Sequence, residues 1–248
     1  MATEKSVIAA NLERIKERVK LAAGRARRRA EDVTIVAVSK TFPFEAIRAA
    51  YDEGLRHFGE NRVQEWESKQ PHVVDLAATW HLIGHLQGNK ARRAASLFNR
   101  VDSVDSLAIA QKLDSAFAAG RTSENEEVKA ENRGKRLQVL IEVRLSDEVT
   151  KSGIAESDLP ALAEGAAKLA HLQLLGLMTI PPFLDGPEKV RPYFSKLREL
   201  RDDLAQRLDQ PLPVLSMGMS HDFDVAIEEG ATEIRVGTAL FGERAVKA

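Results

Sequence analysis

The stretch Val33-Thr-Ile-Val-Ala-Val-Ser-Lys-Thr41 decides the fold. It carries no charge and is rich in β-branched residues until Lys40, and Pro43 follows three residues later. A short run of this kind marks a strand buried on both faces, as in a parallel sheet. The pattern predicts a strand over 33–41 with Lys40 at its C-terminal end. Rigid backbone would then hold the amine above the sheet. A strand-end lysine is ordinarily solvated, so Lys40 acquires meaning only from the company it keeps.

The rest of the chain repeats this opening. Leu12, Ile15, Val19 and Ala22 recur at helical spacing and predict an amphipathic helix over 4–29 with a solvated basic face that includes Arg25 to Arg29. Phe44 to Tyr51 reads as a helix stopped by Gly54. Further strands are expected at 55–59, 79–86, 100–104, 137–145, 172–180, 214–217 and 233–236. Helices are expected between them at 62–74, 91–98, 106–119, 158–170, 187–208 and 222–229, with a closing turn over 237–244. Residues 120–136 are polar and charged and read as a surface excursion, not a linker, because the alternation resumes after them. Strand and helix runs that alternate imply a parallel sheet with helical crossovers. Eight repeats in 248 residues favour a single-domain α/β chain, 1–248, folded as a (β/α)8 TIM-type barrel. No GxGxxG or Walker loop supports an open nucleotide-binding sheet.

Composition narrows the function. A net charge of −1 gives no argument for nucleic acid or membrane partners. The lack of cysteine excludes disulfides, thiolate metal sites and cysteine nucleophiles, and fits a reducing cytoplasm. No stretch approaches the ~20 apolar residues of a membrane span. The six histidines (57, 72, 81, 85, 171, 221) show no metal-binding pattern, since His81 and His85 would lie about two pleats apart on a strand. A cytoplasmic monomer without a metal is expected.

A barrel of this class keeps its site at the C-terminal ends of its strands. The expected strand ends deliver Lys40, then Glu60 and Asn61, then His85, Gln87 and Asn89. Later ends deliver Lys151-Ser-Gly153, Met178 and Thr179, Ser216-Met-Gly-Met-Ser220, and finally Arg235, Gly237 and Thr238. Gly218 with Ser220, and Gly237 with Thr238, each precede a helix and together suggest a phosphate cradle. The eighth strand adjoins the first in a closed barrel, so phosphate and lysine would meet. Such a pair suits a phosphorylated carbonyl compound bound as a Schiff base, whether pyridoxal 5′-phosphate or a sugar-phosphate aldehyde. Arg235, on the same strand face as Gly237, could face a pyridine nitrogen and keep it unprotonated. Glu60, Asp222 and Asp224 are acid–base candidates with no partner visible in the sequence.

These residues fall in motifs that run the length of the chain: Ala37-Val-Ser-Lys-Thr41, Phe58-Gly-Glu-Asn61, Trp80-His-Leu-Ile-Gly84, Leu86-Gln-Gly-Asn-Lys90, Lys151-Ser-Gly153, Gly176-Leu-Met178, Leu215-Ser-Met-Gly-Met-Ser220 with Asp222, and Arg235-Val-Gly-Thr238 with Phe241-Gly242. In these the chain resembles the pyridoxal phosphate homeostasis proteins, the YggS or PROSC family. The resemblance implies a barrel like the N-terminal domain of alanine racemase. It implies that Lys40 holds pyridoxal phosphate as an internal aldimine. It further implies that Ser220, Gly237 and Thr238, with backbone around Gly218 and Met219, hold the phosphate. Arg235 would partner the pyridine nitrogen, Asn61 would lie near the ring, and Met217 would wall the pocket. The implied role is to bind the cofactor, deliver it to apo pyridoxal-phosphate enzymes and keep its free level low, without catalysis. An amino-acid racemase is the alternative. It would need a second base, which the racemases resembled here bring from a C-terminal domain and a dimer interface, and the chain is expected to lack it. A class I aldolase using Lys40 would leave Arg235 unexplained. Arg144, where the family usually has asparagine, Leu175, where arginine is frequent, and the long 120–136 excursion depart from the family pattern.

Overall fold

The computed structural model describes residues 4–121, 134–146 and 152–242. Most of the expected 120–136 excursion, Lys151 and the end of the expected closing turn lie outside the described residues. The strands are β1 (Thr34–Val38), β2 (His57–Glu60), β3 (Thr79–Leu82), β4 (Arg100–Val104), β5 (Leu137–Arg144), β6 (Ile154–Ala155), β7 (Leu172–Met178), β8 (Val214–Ser216) and β9 (Glu233–Val236). Their order is β4-β3-β2-β1-β9-β8-β7-β5-β6, and β4 also pairs with β5. That extra pairing closes eight parallel strands into the expected barrel. β6 stands outside the ring, joined to β5 through Val143↔Ile154 and Arg144↔Ala155. It is a ninth strand that the sequence pattern does not reveal, because two residues carry no period.

The helices are α1 (Glu4–Arg25), α2 (Phe44–Asp52), α3 (Val63–Lys69), α4 (Ala91–Leu97), α5 (Leu107–Arg121), α6 (Leu159–Ala167), α7 (Arg191–Leu208), α8 (Phe223–Glu228) and α9 (Thr238–Phe241). Several elements stop sooner than their apolar runs suggest. β1 ends at Val38, not at Thr41, because Ser39 to Phe42 form a turn closed by Phe42 N–H donating to the Ser39 carbonyl at 3.0 Å. α1 ends at Arg25, not at 29. Arg27 takes a left-handed conformation (φ 55°), and Arg28 N–H donates back to the Ala23 carbonyl at 2.9 Å, the pattern of a Schellman cap.

The outward strand faces make the apolar core. Ala37, Phe58, Leu82, Val101, Val139, Leu177, Leu215 and Ile234 are buried there against helix residues such as Ile47, Ala94, Leu113, Phe194 and Phe223. The basic face of α1 departs from expectation. Arg18 pairs with Asp224 and lies 3.9 Å over the Phe223 ring, and Arg28 donates to the Ala231 carbonyl at 2.8 Å. These arginines fasten α1 to the segment that follows β8 and are not purely solvated.

The barrel interior is polar where many barrels stack Val, Ile and Leu. Arg100 on β4 donates to Glu233 on β9 at 2.6 Å. The two strands are not neighbours, so this bond crosses the inside of the barrel. Arg100 also donates to Asp102 at 2.6 Å, His81 lies 3.3 Å from Asp102, and His57 lies 3.0 Å from His81. All but the half-buried His57 are buried.

Candidate functional site

The C-terminal strand ends surround a cavity of ≈ 500 Å³. Lys40, Asn61, Met219, Ser220, Arg235, Gly237 and Thr238 all line it, together with His85, Glu142 and Ser152. The structure thus gathers the first seven, which the sequence scattered across four strand ends. Met217 and Gly218 sit behind this wall. Met217 is fully buried in the apolar core. Gly218 has φ 92°, and a Cβ there would come within 2.6 Å of the Ala226 Cβ. Only glycine lets the loop turn against α8 at that point.

Lys40 is the second residue of the Ser39–Phe42 turn, and Thr41 is the third. Thr41 has φ 68°, a left-handed conformation rare for a β-branched residue. Turns with positive φ at the third position prefer glycine there, and a non-glycine residue held so costs about 1–3 kcal/mol. A buried ionic cluster holds it. Lys69 Nζ donates to the Ser39 carbonyl at 2.9 Å, to Glu60 Oε1 at 2.9 Å and to Glu65 Oε1 at 2.7 Å. Glu65 Oε1 also accepts from Thr41 N–H, and Ser39 Oγ donates to Glu60 Oε1 at 2.8 Å. Burial raises the Glu60 carboxyl above its ordinary range, against the opposing pull of Lys69. Burial also pushes Glu65 upward, but the hydrogen bonds from Lys69 and Thr41 outweigh it and hold Glu65 low. Glu60 therefore does have a partner, contrary to its solitary look in the sequence.

The opposite corner is built from two loops. Ser220 Oγ accepts from Ala239 N–H at 3.2 Å and from Thr238 Oγ1 at 3.3 Å. Met219 N–H donates to Asp222 Oδ1 at 2.6 Å, which fastens the loop around Gly218 and Met219. Asp222 is thereby a loop-fastening residue, its carboxyl raised by burial. Asp224, the third acid–base candidate, is taken up by Arg18. α1 braces this corner from behind: Asn11 donates to the Leu240 carbonyl at 2.8 Å and Arg18 to the Ser220 carbonyl at 3.3 Å. A Cβ placed on Gly237 would meet the protein no closer than 3.5 Å, at the Val38 carbonyl. The protein's own packing does not require glycine there; a group seated against that backbone in the cavity would.

Arg235 lies on the cavity floor, 3% exposed. It donates to Ser216 Oγ at 2.7 Å and to the Thr179 carbonyl at 2.8 Å. Burial lowers its pKa, yet a guanidinium keeps its proton in a protein. Glu142 shares the floor. Burial raises its carboxyl to about 7, Arg235 pulling the other way, and its Oε2 is buried without a hydrogen-bond partner. Below them, burial lowers His57 to about 4. Among the described residues His81, Asp102 and Glu233 are close enough to share a metal ion. Arg100 already binds both carboxylates.

Sequence reasoning missed Glu142 and the Lys69 cluster. Glu142 was legible from parity: Gln138, Leu140 and Glu142 alternate on one face of a strand that ends at the site. The Lys69 cluster had a local trace, since Glu65 and Lys69 stand four apart on one helix. Their reach to Ser39 depends on how α3 returns over β1, which spacing does not show.

The fold agrees with known relatives. The sequence profile of the alanine racemase N-terminal domain matches residues 10–245. A pyridoxal phosphate homeostasis protein of Aquifex aeolicus is 46% identical over 233 residues, covering 94% of this chain and 96% of that protein. One of Pseudomonas aeruginosa is 45% identical over 239 residues, covering 96% of each. The solved structure of PipY of Synechococcus elongatus with pyridoxal phosphate bound superposes with a TM-score of 0.76 at 40% identity, covering 92% of this chain and all of that one. Alanine racemase of Corynebacterium glutamicum shares the fold at 17% identity and a TM-score of 0.68; 98% of this chain matches 63% of that one. With near-complete coverage at such identity, the chain belongs to the family of pyridoxal phosphate homeostasis proteins, built on the alanine racemase N-terminal fold.

Proposed function

We propose that this chain holds pyridoxal 5′-phosphate as a Schiff base on Lys40 and serves vitamin B6 homeostasis in the cytoplasm, as a single monomeric barrel, without turning over a substrate. The observation that carries the reading is the make-up of one cavity. A turn-borne lysine, a buried guanidinium and a corner of Ser220, Gly237 and Thr238 all face it. The residues fit the cofactor group by group. Ser220 and Thr238 supply hydroxyls, and Gly237 supplies backbone that can be approached closely. Arg235 supplies a permanent donor for the pyridine nitrogen, and Asn61 a side amide beside the ring. When bound, the cofactor would supply an aldehyde carbon open to the Lys40 amine, water being the leaving group. Bonds to Ser216 and Thr179 fix Arg235 in place. The names of the relatives and the PipY complex support the same ligand.

Transfer of bound cofactor to an apo pyridoxal-phosphate enzyme tests the role. Activation of the apo-enzyme by the loaded protein, with no racemisation of alanine by the loaded protein itself, is the expected result. Racemisation at enzymic rates that disappears in Lys40→Ala would overturn the non-catalytic reading.

A further inference from the structure

We infer that Lys69 is the positioning residue for Lys40, acting with Glu60 and Glu65 as a clamp on the turn that carries the amine; this rests on the reading of Lys40 as the attachment point. Lys69 and Glu65 belong to α3 and Glu60 ends β2, so none of the three belongs to the turn they hold. The contacts fall on both sides of Lys40. Lys69 Nζ takes the carbonyl of Ser39, the residue before it, at 2.9 Å. Glu65 Oε1 takes the N–H of Thr41, the residue after it. Lys69 then ties the two anchors together, at 2.9 Å from Glu60 and 2.7 Å from Glu65.

The placement of the strain shows what the clamp is for. Thr41 holds φ 68°, where glycine would rest easily and a β-branched residue does not. A turn that is strained and also tied at both ends holds one backbone path, and that path fixes the direction in which the Lys40 Cβ leaves it. Lys69 itself does not line the cavity. It is 8% exposed, and its three acceptors use all three of its ammonium hydrogens. Its charge therefore serves the turn and not the ligand. Positioning of this kind acts on the rate of attack, since a nucleophile displaced by about 1 Å can lose ~10²-fold.

The test compares native protein with Lys69→Met, Lys69→Arg and Glu65→Ala. Glu65→Ala frees the Thr41 N–H but keeps the buried Lys69–Glu60 pair, so it reports even if Lys69→Met does not fold. Condensation with pyridoxal phosphate and with unphosphorylated pyridoxal is followed by absorbance across pH, and Lys40 labelling by borohydride trapping. Lys69→Met should slow both aldehydes at least tenfold, Glu65→Ala at least threefold, and Lys69→Arg should restore part of the rate. A phosphate-side defect would spare pyridoxal, and a defect of stability alone would lower the melting temperature while leaving the rate of the folded fraction and its pH profile unchanged. Native rates and pH profiles in folded Lys69→Met or in Glu65→Ala would overturn the inference. Native protein that takes no label at Lys40 would overturn the functional reading and this inference with it, a result separable from unchanged variants on a labelled native chain.

Discussion

Arg235 donates to the carbonyl oxygen of Thr179 at 2.8 Å, tying β9 to the residue that follows β7 across the floor of the cavity. The bond fixes on the cavity floor a guanidinium that cannot give up its proton; under the proposed function it would face the pyridine nitrogen. Arg235→Gln can keep one of the two bonds but not the charge. Its affinity for pyridoxal phosphate should fall about tenfold, ~1.4 kcal/mol. Equilibrium dialysis measures it, and unchanged affinity would remove Arg235 from the cofactor site.

The corner of Ser220, Thr238 and Gly237 should recognise the phosphate and nothing else of the ligand. Ser220→Ala combined with Thr238→Ala removes the two hydroxyls that meet at 3.3 Å. The pair should weaken pyridoxal phosphate by about 2 kcal/mol, near ~1 kcal/mol for each hydrogen bond, while pyridoxal binds as before. Equal losses for both ligands would show that the corner acts only through the fold. Gly237→Ala should also hinder pyridoxal phosphate, because the protein leaves room for that methyl and a seated phosphate would not.

Two groups on the cavity axis give opposite pH dependences of stability. Glu142, raised from 4.5 to about 7, keeps a proton that the unfolded chain loses sooner. Its contribution is full below pH 4.5 and is lost as pH rises toward 7; it amounts to about 3 kcal/mol at most. His57, lowered from 6.5 to about 4, stays neutral where the unfolded chain takes up a proton. Its contribution is present above pH 6.5 and is lost as pH falls toward 4. The two slopes oppose each other, so the native profile between pH 4.5 and 6.5 should be shallow. Urea melts of Glu142→Gln should show stability rising with pH in that window, and those of His57→Gln should show it falling. Parallel profiles in both variants would contradict the assigned environments.

The Arg100–Glu233 bond across the barrel should matter to stability and not to ligand binding. Removing one member of a buried pair leaves the other charge unmatched and costs about 3–5 kcal/mol. Glu233→Gln retains hydrogen bonding and should cost less than Arg100→Met, which strands both Glu233 and Asp102. Denaturant titration checks the order.

The sequence made the barrel legible because buried parallel strands write themselves as largely apolar, uncharged runs, as 33–38 and 137–141 do. Lys40, Arg235 and the two glycine-led loops were legible because strand ends and helix starts fix their direction. The interior charges were not, since Arg100, Asp102 and Glu233 look like ordinary polar residues until closure of the ring brings β4 and β9 face to face. The bond from the Met219 amide to Asp222 was not legible either, since a contact three residues along a loop leaves no mark in propensity.

The proposed function rests on one bond at one residue, Lys40. Borohydride reduction of the protein mixed with pyridoxal phosphate, followed by peptide mass mapping, tests it most directly. One phosphopyridoxyl group is expected, on Lys40, and none on Lys40→Ala. Label on another lysine, or equal labelling of Lys40→Ala, would contradict it.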